Sequence, residues 1–69
     1  MSLGETVARN IRRIRRERGL SQEELASLVN INRNYIGMIE RQENSPTIQM
    51  VERIAKVLQV RPSQLLEDK

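Results

Sequence analysis

Arg33, Asn34, Tyr35 and Met38 lie within six residues of one another, and two of them carry side chains able to read a nucleobase. A guanidinium such as that of Arg33 can donate two hydrogen bonds to O6 and N7 of guanine, and an amide such as that of Asn34 can pair both ways with N6 and N7 of adenine. Each such pair discriminates against a wrong base by about 1–3 kcal/mol. Met38 has no directional polarity, so it meets a thymine methyl or fills space. Tyr35 is the only aromatic residue of the chain. Its ring either packs on a neighbouring helix or presents its hydroxyl outward.

A second group of residues suits phosphate. Arg9, Arg12, Arg13, Arg15, Arg16 and Arg18 crowd ten residues of a chain whose net charge is only +3. The planar arginine fork donates two hydrogen bonds at once, and a cluster of this kind creates a field that attracts polyanions. The same pattern also describes a solvated helix face. Gln22 stands where a helix would open, and free backbone N–H groups and the helix dipole favour an anion there. Its amide would clamp a phosphate or be an ordinary first-turn side chain. Asn32 reads first as a helix cap and second as a contact to a phosphate or base edge. Arg12, Arg16, Arg41 and Asn44 are further phosphate candidates.

The elements that must position these groups are legible as helices. Val7, Ile11, Ile14 and the stem of Arg18 recur every three to four residues and predict a first helix over Glu5 to Arg18, with Gly19 as its stop. Ser21 and Glu24 form a capping box flanked by Leu20 and Leu25, so a second helix starts at Gln22 and runs to Val29. Ile31, Asn32 and Ile36 repeat that grammar for a third helix from Arg33 to Arg41. Asn30 falls in the tight turn between them, where a positive φ is wanted. Two short helices so spaced make a helix-turn-helix. Leu25, Val29, Ile31, Ile36 and Ile39 would meet where they cross, with Ala26 small at the closest approach.

Thr47 caps a fourth helix with Ile48, Val51, Ile54, Ala55 and Leu58 on one face, and Pro62 opens a short fifth helix bracketed by Val60 and Leu65. Arg61 is a poor cap, so this last helix is expected to fray. The third helix would leave Arg33, Asn34, Gly37, Met38 and Arg41 on its outer side. Gly37 weakens a helix by roughly 1 kcal/mol relative to alanine. It is either tolerated or kept for close approach to the second helix or a groove. The fold expected is all-α, one five-helix domain spanning residues 1–69, with residues 1–4 disordered or a cloning remnant.

Composition excludes much else. With no cysteine and no histidine there is no disulfide framework and none of the usual zinc constellations. No apolar run approaches the ~20 residues of a membrane span. These features predict a cytoplasmic protein without cofactor, metal or membrane partner. No paired carboxylates or nucleophile–base sets mark an enzyme. A domain this small leaves no room for an effector pocket, so no small-molecule ligand is expected.

The stretch from Ile11 to Leu66 resembles the Cro and phage-repressor helix-turn-helix family and, within it, the controller proteins of restriction-modification systems. The residues that carry the resemblance are Ile11, Arg15, Gly19, Leu20, Ser21, Gln22, Glu24, Leu25 and Ala26, then Arg33, Tyr35, Ile36, Ile39, Glu40 and Arg41, then Pro46, Thr47, Ile54 and Ala55. The resemblance implies a lambda-repressor-like fold and a homodimer on double-stranded DNA. The third helix would enter the major groove and the start of the second would meet a phosphate, with Tyr35 reaching the DNA. It also implies that Arg15 and Glu40 form a partly buried ion pair. Val60, Leu65 and Leu66 are candidates for the dimer surface, although Leu65 can instead be consumed inside the fold. Gln42 stands where the family often has glycine, which predicts a reshaped exit from the third helix, and Arg61 replaces a common serine. The competing reading is a protein-interaction module, such as an antitoxin-like or adaptor domain.

Overall fold

Four of the helices end in the same way, and that repetition sets the path of the chain. The computed structural model describes residues 2–67 as α1 (Leu3–Glu17), α2 (Gln22–Val29), α3 (Arg33–Glu40), α4 (Ile48–Leu58) and α5 (Pro62–Leu66). After α1 to α4 a residue with left-handed backbone closes the last turn: Gly19 (φ 72°), Asn30 (66°), Gln42 (63°) and Gln59 (62°). The next residue then donates its N–H back five positions, Leu20 to Arg15, Ile31 to Ala26, Glu43 to Met38 and Val60 to Ala55, at 2.7–3.0 Å. This satisfies carbonyls that a helix end would otherwise leave orphaned. Leu20, Ile31 and Val60 also fold onto the core after their turns, whereas Glu43 stays exposed.

Gln42 therefore adopts the conformation for which glycine is the usual choice, and the exit of α3 keeps the common shape instead of the altered one its identity suggested. A non-glycine residue pays roughly 1–2 kcal/mol for that backbone.

The helix starts are capped as firmly. Ser21 accepts from the Glu24 N–H at 2.9 Å while Glu24 accepts from the Ser21 N–H at 2.9 Å. Ser2 and Glu5 make the same reciprocal pair at 3.2 and 3.4 Å, so α1 begins at Leu3, two residues before the expected Glu5. Residues 2–4 are thus part of the helix and its cap, contrary to the expected disorder. Met1 lies outside the described residues. The Thr47 hydroxyl accepts from the Met50 N–H at 3.1 Å.

One core of Val7, Ile11, Ile14, Leu25, Ala26, Val29, Ile36, Ile39, Val51, Ile54, Ala55, Leu58 and Leu65 is shared by all five helices. Helix α2 packs on α3 and α4, α1 packs on α3 and α5, and α4 packs on α5. Ile48 departs from its expected place. The buried stripe of α4 begins one turn later at Val51, and Ile48 is 78% exposed. Leu65 is fully buried, so it belongs to the core and has no surface left for a dimer contact.

Three polar side chains lock helix C-termini across the fold. Arg18 Nε donates to the Leu58 carbonyl at 2.9 Å, an Arg53 terminal nitrogen donates to the Val29 carbonyl, and buried Asn10 donates to the carbonyls of Leu65 (2.9 Å) and Glu67 (2.7 Å). Asn10 and the Gln64 side chain, which accepts from the Arg61 N–H at 2.8 Å, hold α5 at both ends. The fraying expected of α5 is therefore countered without a side-chain cap from Arg61.

Candidate nucleic-acid interface

Helix α3 has one face sealed and one open. Ile36 and Ile39 are inside the core, and Asn32 caps the helix by accepting from the Asn34 N–H at 2.7 Å. Arg33 and Asn34 are exposed, and Tyr35 and Met38 are half-buried. Tyr35 packs against the rim of the core. The four base-contact candidates thus occupy the first turn and a half of α3, with two fully outward and two at the margin.

The end of α3 is braced by Glu40, whose side chain has no exposed surface. Arg15 Nε donates to its Oε2 at 2.8 Å and Arg15 Nη2 to its Oε1 at 3.1 Å. Gln22 Nε2 at 3.0 Å and Arg12 Nε at 3.4 Å also donate to Oε1. Burial pushes the Glu40 carboxyl up, but the hydrogen bonds from Arg15 and Gln22, the Arg15 charge and Arg12 together outweigh it and hold the group below its ordinary range. Arg15 also donates to the Leu20 carbonyl at 2.8 Å, so one guanidinium ties α1, the turn before α2, and α3.

This network changes the reading of Gln22. Its amide nitrogen donates one hydrogen to Glu40, which fixes the side chain and leaves its second N–H to donate elsewhere. Two guanidiniums, of Arg12 and Arg15, meet one carboxylate there, and Glu23 and Glu24 lie in the first turn of α2. Gly37, expected on the outer side of α3, is buried beneath the side chains of Gln22 and Arg41.

The remaining cations differ in their engagement. Arg33 pairs with Glu23 at 3.3 Å, with both side chains exposed, and Arg13 pairs with Glu17 at 3.2 Å. Arg41 grips Glu43 in two bonds, Nε to Oε2 at 3.0 Å and Nη2 to Oε1 at 3.2 Å. That contact raises the pKa of Arg41 and lowers that of Glu43. Arg16 is exposed, and its side chain has no hydrogen-bonding partner among the described residues. Asn44 is half-buried in the loop between α3 and α4. Sequence reading missed Glu23 and Glu43 as partners, because neither pair follows the i, i+3 or i, i+4 spacing of one helix. It also missed Asn10, an isolated polar residue in an apolar stripe.

This geometry has known counterparts. The helix-turn-helix family model matches residues 11–65, from within α1 to within α5. The chain belongs to that family. The control protein C.SmaI of Serratia marcescens is 38% identical over 66 residues, covering 96% of this chain and 79% of the relative. Among solved structures, the restriction-modification controller protein C.AhdI of Aeromonas hydrophila superposes with a TM-score of 0.86 at 31% identity, covering 90% of this chain and 94% of that one. SinR, the master regulator for biofilm formation solved in complex with DNA, superposes with a TM-score of 0.84 at 34% identity, covering 88% of this chain and 98% of that one. This protein is a helix-turn-helix transcriptional regulator of the phage-repressor type. Its described residues include no helix long and apolar enough to cross a membrane.

Proposed function

We propose that this regulator binds symmetric operator DNA as a homodimer, with α3 of each copy in the major groove, and that it serves as a restriction-modification controller. The observation that carries the reading is the division of α3. One face is immobilised by Ile36, Ile39 and the Glu40 network, and the other offers Arg33, Asn34, Tyr35 and Met38 on a rigid element. Rigid presentation matters because base discrimination depends on hydrogen-bond geometry at the groove edge. The Arg33–Glu23 pair does not obstruct this, since an exposed ion pair contributes only ~0–1 kcal/mol and exchanges readily for a guanine edge.

Backbone contacts fall to Arg12, Arg16 and Arg41, which are exposed, and to the first turn of α2. Asn32 serves chiefly as the cap of α3, and Asn44 remains a candidate in the loop beyond. The similarity to C.SmaI and C.AhdI supports the controller role, and the SinR complex supports DNA as the partner.

For the dimer, the surface that fits is not the one centred on Val60 and Leu65. Leu65 is buried, and Val60 is half-buried against the core. Leu66 instead joins Leu3, Val7, Pro46, Ile48 and Pro62 around an apolar groove of about 350 Å³. Exposed apolar side chains gathered in one place are costly in water unless a partner covers them. The domain measures 28 × 23 × 21 Å, so two copies joined at a face can hold their α3 helices the ~34 Å apart that successive major-groove faces require.

In vitro selection of bound duplexes, followed by footprinting over a salt series, tests the reading. A protected palindrome is expected, with affinity falling steeply as salt rises. Arg33→Ala should relax preference at one base pair in each half-site by about 1–3 kcal/mol. Salt-insensitive binding with no protected palindrome would sink the proposal.

A further inference from the structure

The bare backbone of Gly37 lies against the guanidinium of Arg41. A Cβ placed on Gly37 would stand 2.9 Å from Arg41 Nη1, 3.6 Å from Arg41 Cζ and 3.5 Å from Gln22 Oε1. The first distance is inside van der Waals contact, so an arginine in this position requires that residue 37 have no side chain. The glycine's backbone is not left-handed, so no conformational demand explains it.

The arginine is held from its other edge as well. Glu43 accepts from Nε and Nη2, which leaves Nη1 toward Gly37 and Gln22. Glu43 occupies the position after the left-handed residue where α1, α2 and α4 each place an apolar side chain that folds onto the core. The charge there is what fixes Arg41. Gln22 in turn is fixed by Glu40. Two side chains, one from the start of α2 and one from the end of α3, thus meet above one glycine, and both are polar.

We infer that Gly37 is a positioning residue, a seat that holds the Arg41 guanidinium beside Gln22 at the junction of α2 and α3, preset to receive a DNA phosphate. The inference rests on the DNA-binding reading above. It separates stability from function, because the atom that a Cβ would strike is the far end of a flexible side chain. Arg41 can swing away with little cost to the fold, and alanine is the better helix former. A glycine retained for packing would behave in the opposite way.

Gly37→Ala, Arg41→Ala and the double variant are compared with the wild type in binding to a random-sequence 20-base-pair duplex over a salt series, alongside thermal unfolding. A random duplex suffices because a phosphate contact is independent of sequence. The expected result for Gly37→Ala is an unchanged or raised Tm, affinity lower by about fivefold at 0.15 M salt, and a salt slope reduced by ~0.9 for each protomer bound. The double variant should bind no more weakly than Arg41→Ala alone, since the two changes remove one contact. Unchanged binding by Gly37→Ala would overturn the inference. So would additive losses in the double variant, which would mean that the new methyl collides with DNA directly. A lowered Tm would also overturn it by making Gly37 a packing glycine. Failure of the wild type to bind any duplex would instead strike the DNA-binding reading itself.

Discussion

Glu40 keeps its charge with no exposed side-chain surface because four donors from three side chains converge on its two oxygens. Removing one partner of a buried pair strands the other, at about 3–5 kcal/mol. Arg12 and Gln22 would still face the carboxylate in Arg15→Ala, so a loss near the lower end, about 3 kcal/mol, is expected in urea unfolding at neutral pH. That is a large share of the ~5–15 kcal/mol that holds a small domain together. The pH dependence follows from the lowered carboxyl. Its contribution is complete above the unfolded-state value of ~4.3 and is lost as pH falls through the lower folded-state value. Unfolding midpoints measured from pH 7 downward should therefore drop on the acid side, and Glu40→Gln should flatten that drop while lowering stability at pH 7. At this scale the pairing of Arg15 with Glu40 was legible only through the family resemblance. Nothing in spacing alone joins residues 25 positions apart, and the additional donors Arg12 and Gln22 were read as phosphate ligands because their types suit both tasks.

The helices themselves were legible because their ends are chemical. Ser21, Glu24, Asn32 and Thr47 mark starts by side chains that satisfy free N–H groups, Pro62 marks one by having no N–H to satisfy, and Gly19 and Asn30 mark stops by tolerating positive φ. Ser2 and Glu5 carry the same capping signature as Ser21 and Glu24, at the same spacing of three. Gln42 and Gln59 were not legible as left-handed residues, since glutamine has no preference for that backbone and accepts it only because the rest of the turn dictates it. Gln59 follows α4 and lies away from the α2–α3 junction, so strain there serves no evident contact. Gln59→Gly should relieve it and stabilise the domain by about 1 kcal/mol, raising Tm by ~4–8 °C in a calorimetric scan. A lower Tm would mean that the added backbone entropy of glycine outweighs the relief.

For the whole molecule, the core was readable as periodic apolar stripes, but the apolar surface was not. Leu3, Pro46 with Ile48, and Leu66 come from three separate stretches that only the packed fold brings together. Ile48 sits at helical spacing with the true core positions, and the pattern cannot tell the last turn of a buried stripe from one that overshoots the neighbouring helices. Ile48→Asp tests the proposed dimer surface without touching the core, because a residue 78% exposed contributes little to folding and its substitution should stay within about 0.5 kcal/mol. Sedimentation equilibrium should find the variant monomeric at concentrations where the wild type is a dimer. A variant that remains dimeric would move the interface elsewhere.

Tyr35 gives the molecule a property of a different kind. The chain has no tryptophan and no phenylalanine, so its near-ultraviolet absorption, emission and circular dichroism come from this single ring. That ring is half-buried in the first turn of α3, beside Arg33 and Asn34 and packed against the edge of the core. The protein therefore carries one intrinsic chromophore at the place where its proposed ligand would arrive. A titration followed at the red edge of tyrosine emission, beyond the absorption of the bases, would report occupancy of α3 without any label.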